Sequence, residues 1–231
     1  MTSNTFLLPN LTILHSQPIP QQQLILVGGG RAPAPNWLQS IATKAPLWCI
    51  DHGLDCCRQS NIIPQRLIGD GDSAAPENWQ WAQEHQVATQ RFDPYKDLTD
   101  TQLALDLAAK ENAYVLLTGA LGGRCDHLLS TLFSFAHQNI KGCISDERET
   151  ILFLKAQEEM SLTFGANPKA VSLFPISAEV AGVTLQGAEW PLNQALLQQS
   201  LPYAISNRVL ANQLTISIKS GIIALMICWR E

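Results

Sequence analysis

The sequence predicts an α/β fold: an N-terminal, mostly parallel sheet with flanking helices, followed by a C-terminal antiparallel β-sandwich or barrel. Three observations carry this. Apolar runs in the first half each close in Gly or Asp, as buried parallel strands do. Helical patterns separate those runs, which implies a layered α/β arrangement. Beyond about residue 150 the runs follow one another with few helices between them, and some alternate with the period of two of a half-buried strand.

Taken in order, Leu24 to Val27 is a strand stopped by Gly28-Gly29-Gly30. Asn36 to Thr43 makes a short helix. Leu47 to Ile50 is a second strand, ending at Asp51-His52-Gly53, and Arg66 to Ile68 a third, ending at Gly69-Asp70. Glu77 to His85 is helical, with Pro76 suited to its first turn. Thr99 to Lys110 is the clearest helix: Thr99 with Gln102 fits a capping box, and Leu103, Ala104, Leu107 and Ala108 form its apolar stripe. Tyr114 to Leu117 is the next strand. In the helix from Asp126 to Gln138, the expected buried side is Leu128, Leu129, Leu132, Phe133 and Ala136. Strands are then expected at 151–154, 160–164, 171–175, 182–186, 214–219 and 222–229, with Ser220-Gly221 as a hairpin tip. The organisation read from this is 1–23 without an assigned role, 24–154 as the α/β domain and 155–231 as the β-rich domain.

Composition narrows the function. The 231 residues are 46% hydrophobic and 15% charged, which excludes a wholly disordered chain. The formal charge of −5 argues against a nucleic-acid partner. No apolar run reaches the roughly 18 residues of a membrane span, and no secretory signal is visible at the start. The six Cys show no CxxC spacing and read as reduced thiols in the cytoplasm. Cys49, Cys143 and Cys228 have apolar neighbours and read as core packing.

Carboxylates gather where the strands end: Asp51, then Asp70 and Asp72, then Asp97 and Asp100 at a helix start. Ligands of open parallel sheets bind outside the carboxyl ends of the strands. Converging carboxylates there call for a cation, and hard oxygen donors suit magnesium rather than zinc. The structural alternatives are an Asp-rich turn at 69–73 and a helix-dipole role for Asp100. Lys96 either neutralises phosphate or pairs with a surface carboxylate. The loop Gly119 to His127, between a strand and a helix, offers backbone N–H groups, a helix N-terminus and the planar fork of Arg124 to an anion. It is neither a Walker loop nor a dinucleotide fingerprint. No GxSxG occurs and Ser73 has no evident His base, so phosphoryl transfer fits better than a covalent hydrolase.

These blocks together resemble the thiamine pyrophosphokinase (thiamine diphosphokinase) family. Gly69-Asp70-Gly71-Asp72-Ser73 is similar to its G-D-x-D-S, and Lys96-Asp97-Leu98-Thr99-Asp100 to its K/Q-D-x-T-D. Gly119 to His127 resembles its G-x-x-G-G-R-x-D-H, and Ser206-Asn207 its S-N. The resemblance spans roughly residues 24 to 230. It implies transfer of a pyrophosphoryl group from ATP to the hydroxyl of thiamine, with Mg2+ and ATP as co-substrate. Asp70, Asp72, Asp97 and Asp100 are then the catalytic and metal candidates. Asp51, Ser73, Lys96, Gly122, Gly123, Arg124, Asp126 and His127 fall on the nucleotide side. Trp190, Ser206 and Asn207 fall on the thiamine side, where a cationic thiazolium favours an aromatic face; the alternative for Trp190 is a core position. The resemblance also implies a homodimer with sites at the subunit interface. Two departures stand out. His52 follows Asp51 where the family shows A-D-G-G, and Tyr95 precedes Lys96 where an acidic residue is common. The competing readings are a magnesium-dependent pyrophosphokinase or kinase for another small alcohol, a non-catalytic sensor of thiamine diphosphate or a nucleotide, and an α/β protein whose acidic turns are only caps.

Overall fold

Alternating apolar runs and helices in the first half, and unbroken strand patterns in the second, fold as two kinds of layer. The computed structural model describes residues 4–69, 74–93 and 95–230. In chain order the elements are β1 (Thr5–Leu8), β2 (Leu11–His15), β3 (Gln23–Val27), α1 (Pro35–Ala42), β4 (Leu47–Ile50), α2 (Gly53–Gln59) and β5 (Arg66–Ile68). They continue as α3 (Pro76–Glu84), β6 (Ala88–Gln90), α4 (Asp100–Lys110), β7 (Tyr114–Thr118), α5 (Cys125–His137), β8 (Lys141–Ser145) and β9 (Glu149–Lys155). The last six strands are β10 (Glu159–Phe164), β11 (Ala170–Pro175), β12 (Glu179–Gln186), β13 (Leu192–Gln198), β14 (Gln213–Ser217) and β15 (Ile222–Cys228). The chain divides into two compact units, Pro20–Asp146 and the remainder, which joins the chain up to Ile19 with Glu147 onward.

In the first unit the strands run parallel in the order β8-β7-β3-β4-β5-β6. Leu24, Leu26, Val27, Leu67 and Val115 are among its fully buried side chains, as expected of strands covered on both faces. The parallel register brings the ends of β3, β4 and β7 level: Val27 pairs with Cys49 and with Thr118. Pro35 and Pro76 open α1 and α3, where a missing N–H costs nothing. The apolar stripes differ in detail from those expected. α4 buries Ala104, Leu105 and Ala108. α5 buries Thr131, Leu132, Phe135 and Ala136, leaving Leu129 and Phe133 exposed.

In the second unit an antiparallel sheet has the order β1-β2-β10-β14-β12-β13. β11, β15 and β9 form a second antiparallel set. Burial alternates along β10 and β11, so Met160, Leu162 and Phe164 face inward from one and Val171, Leu173 and Pro175 from the other. The segment 1–23, given no role by its sequence pattern, supplies β1 and β2, and Leu14 of β2 pairs with Ser161 of β10. Ser220-Gly221 is not a hairpin tip. β14 pairs with β10 and β12, while β15 pairs with β9 and β11, so the turn carries the chain from one sheet to the other. All six cysteines are unbridged, with Cys49, Cys56, Cys57 and Cys143 buried. Burial pushes the Cys56 thiol up to about 11. No described helix is long and apolar enough to cross a membrane.

Candidate functional site

Three strand ends of the first unit build the site. After β3, the Gly28-Gly29-Gly30 turn lies along the turn that follows β7. Gly28 N–H donates to Thr118 O (2.8 Å), Gly30 N–H to Gly119 O (2.6 Å) and Arg31 N–H to Leu121 O (2.7 Å). The approach is close enough to require glycine. Gly119 has φ +64°, and a Cβ there would collide with the Gly28 carbonyl. After β4, Asp51 takes a left-handed conformation (φ 44°), which a short polar side chain tolerates. Its carboxylate packs against the backbone of Gly69 (φ +149°), leaving no room for a Cβ there.

These turns and the start of α4 enclose a cavity of about 710 Å³. That is ample for a small ligand. Its lining includes Asp51, Lys96, Asp100, Gly122, Gly123, Arg124 and His127, all predicted on the nucleotide or metal side. Lys96 Nζ lies 3.1 Å from Asp100 Oδ1, one turn apart, and both side chains are largely buried. Asp100 is held at the first turn of α4 by the capping box. Thr99 Oγ1 accepts from Gln102 N–H (3.2 Å), and Gln102 Oε1 accepts from Thr99 N–H (2.9 Å).

At the start of α5, Arg124 donates to Asp126 through Nε (3.1 Å) and Nη2 (2.6 Å). The Arg124 hydrogen bonds, with the His127 N–H at 2.9 Å, hold the Asp126 carboxyl down to about 2. Asp126 is exposed and is not part of the lining, nor is Asp97, exposed in the turn before α4. Asp70, Asp72 and Ser73 lie outside the described residues. His52, the departure after Asp51, lines the cavity with its Nδ1 3.3 Å from Asp55 Oδ2. Tyr95 is almost wholly exposed.

Trp190, Ser206 and Asn207 belong to the β-rich unit. The Asn207 amide closes on the main chain around Trp190. Its Nδ2 donates to Trp190 O (2.7 Å), and its Oδ1 accepts from Trp190 N–H (3.1 Å) and Arg208 N–H (2.9 Å). The ring of Trp190 is more than half exposed, so it is not a core tryptophan. Ser206 is exposed at φ 60°, with its N–H bonded to Ser172 Oγ (3.0 Å).

Sequence reasoning missed Arg31 and Asp146. Arg31 lines the cavity, and Asp146 is buried beside it. A legible signal existed for Arg31: Gly29-Gly30-Arg31 repeats the pattern of Gly122-Gly123-Arg124 after another parallel strand. Among the described residues no group of three or more His, Cys, Asp or Glu side chains forms a metal cage. Asp51 and Asp100 on one cavity wall are nevertheless hard oxygen donors, which suit a divalent cation such as magnesium better than a soft metal.

Comparison with known proteins bears on this geometry. Two family models match in order along the chain: "Thiamin pyrophosphokinase, catalytic domain" over residues 38–144, and "Thiamin pyrophosphokinase, vitamin B1 binding domain" over residues 157–223. The thiamine pyrophosphokinase of Bacillus subtilis (strain 168) is 28% identical over 207 residues, covering 87% of this chain and 96% of its own. Thiamine pyrophosphokinase 2 of Oryza sativa subsp. japonica is 25% identical over a 240-residue alignment, covering 93% of this chain and 89% of its own. The crystal structure of thiamin pyrophosphokinase from Geobacillus thermodenitrificans superposes with a TM-score of 0.79 at 26% identity, covering 91% of this chain and 99% of its own. With both halves matched in the same order, the chain belongs to the thiamin pyrophosphokinase family.

Proposed function

We infer that this chain transfers a pyrophosphoryl group from ATP to the hydroxyl of thiamine, giving thiamine diphosphate and AMP. The observation that carries the reading is the pair of family matches, catalytic then vitamin B1-binding, on one chain. The cavity of the catalytic half adds to it, since Lys96, Arg124 and Asp100 share its wall. Phosphoryl transfer needs mainly charge neutralisation and positioning.

In the proposed reaction the thiamine hydroxyl attacks the β-phosphorus in line. The new O–P bond forms as the bond from β-phosphorus to the α-phosphate oxygen breaks, and AMP leaves. The hydroxyl proton passes to a carboxylate, for which Asp72 and Asp100 are the candidates. Lys96, Arg124 and the N–H groups of Gly122 and Gly123 hold phosphate oxygens, with Asp51, Ser73, Asp126 and His127 completing the nucleotide side. Asp70, Asp72, Asp97 and Asp100 are the proposed magnesium ligands; the ion supplies charge neutralisation at the phosphates when bound. Trp190 offers its face to thiamine beside Ser206. The bonds of Asn207 support a role in fixing the Trp190 main chain.

The β-rich unit is read as a sandwich, supported by the edge contact of Phe164 with Trp229 across its two strand sets (6.0 Å between ring centroids). The exposed Leu196, Leu201, Tyr203 and Leu210 on that unit support a homodimer. Six unbridged thiols support a cytoplasmic setting.

The test is incubation with ATP, magnesium and thiamine, followed by separation of AMP from ADP. AMP with thiamine diphosphate is expected. ADP with thiamine monophosphate would make the protein a simple kinase, and ligand binding without turnover a sensor. Asp100→Asn should lower turnover at least about tenfold with the fold intact.

A further inference from the structure

Arg31 enters the cavity wall from the turn after β3 and pairs with a buried carboxylate. Its Nε lies 2.8 Å and its Nη2 2.7 Å from Asp146 Oδ2, across 115 residues of chain. Asp146 is 2% exposed, while the Arg31 side chain keeps a quarter of its surface. The arginine backbone is fixed as well, through its N–H bond to Leu121 O, and a Cβ at Gly122 would press on the Arg31 side chain. A buried carboxylate is costly unless paired, so the two residues stand or fall together.

A structural tie alone would explain the pair if the arginine were buried too. Here Arg31, with a quarter of its side-chain surface exposed, lines the same cavity as Lys96, Asp100 and Arg124. A long side chain usually loses rotamer freedom when it grips a ligand. Arg31 has lost it already on folding, so its planar fork meets an anion preorganised. Arg124 is more exposed and, among the described residues, is braced by a neighbour two residues away. We propose that Arg31 is a polyphosphate-binding residue of this cavity and that Asp146 is its positioning residue, holding the guanidinium toward the phosphate chain. The assignment rests on reading the cavity as a triphosphate site.

Calorimetric titration of the full-length chain with inorganic tripolyphosphate, ATP and adenosine tests it. Arg31→Gln should weaken tripolyphosphate and ATP alike, by about tenfold or more, and leave adenosine unchanged. Arg31→Lys should recover only part of the loss, because it restores the charge without the fork. Asp146→Asn should weaken both polyphosphates about threefold, with the arginine present but less constrained. Because Arg31→Gln removes an ion-pair partner of a buried carboxylate, the double variant Arg31→Gln/Asp146→Asn provides a second measurement, with its thermal midpoint monitored. Wild-type tripolyphosphate affinity in a folded single or double variant overturns the proposal. So does a loss confined to ATP, full recovery by Arg31→Lys, or a wild-type chain that binds no polyphosphate. A wild-type chain that binds tripolyphosphate through Arg31 yet forms no AMP from ATP and thiamine refutes the catalytic reading and upholds this one.

Discussion

Asp126, exposed beside the cavity, shows how local chemistry sets a side chain's behaviour. The Arg124 fork favours its charged form, as does the His127 N–H, and the carboxyl is held down to about 2. A carboxyl lowered on folding favours the folded state above its unfolded value of about 3.9, and that benefit fades as pH falls toward 2. Both groups are solvent-exposed, so the effect on stability is small. The measurable consequence is the titration itself. The Asp126 carboxyl signal, followed by NMR, should have its midpoint near pH 2, and Arg124→Gln should return it toward the ordinary range. An unchanged midpoint would show that the ion pair is absent in solution. Arg124 and Asp126 were legible because they are near neighbours in a recognisable motif. Arg31 carried a local signal in Gly29-Gly30-Arg31, but its pairing with Asp146 carried none, because their meeting depends on β3 and β8 ending at the same side of the sheet.

Helix α4 links local sequence to the site most directly. Its capping box satisfies two backbone donors and fixes Asp100 in the first turn, opposite Lys96. Thr99→Ala should cost about 1 kcal/mol. For a chain of this size that lowers the thermal midpoint by about 2–4 °C. A midpoint within experimental error of wild type would mean that the cap contributes nothing. The cap was readable because it spans four residues. Burial on α5 was harder to read: its apolar pattern left open which stripe faces the sheet, and Leu129 and Phe133 came out exposed. Short or polar strands also escaped notice. β6 has three residues, and β13 buries only Leu197. Both are edge strands of their sheets, and neither shows the run of buried apolar residues that marks a strand in sequence. The parallel strands β3, β4, β5 and β7 were legible almost to the residue, whereas β8 was missed although four of its five residues are buried, because Lys141, Gly142 and Ser145 break its apolar run.

For the whole molecule the decisive feature is that the β-rich unit is assembled from both ends of the chain. β1 and β2 contribute Phe6, Leu8, Leu11 and Ile13 to its interior, all buried. At about 1.5–3 kcal/mol for each large apolar side chain, these contribute roughly 6–12 kcal/mol. That is comparable with the entire net stability of a typical domain, about 5–15 kcal/mol. Deleting residues 1–19 should therefore abolish cooperative unfolding of the β-rich unit, measured by near-ultraviolet circular dichroism on heating. A truncated chain that unfolds cooperatively at the normal temperature would refute this.

The pairing of Leu14 with Ser161 also sets a timetable during translation. At about 5–20 residues per second, the interval between making those two residues is roughly 7–30 s. Through that interval the emerging N-terminal hairpin waits with an unsatisfied strand edge while the parallel layer, complete by Ser145, takes shape. A nascent chain of this design is most open to wrong strand partners at its oldest residues, and there a ribosome-associated chaperone would have the most to protect.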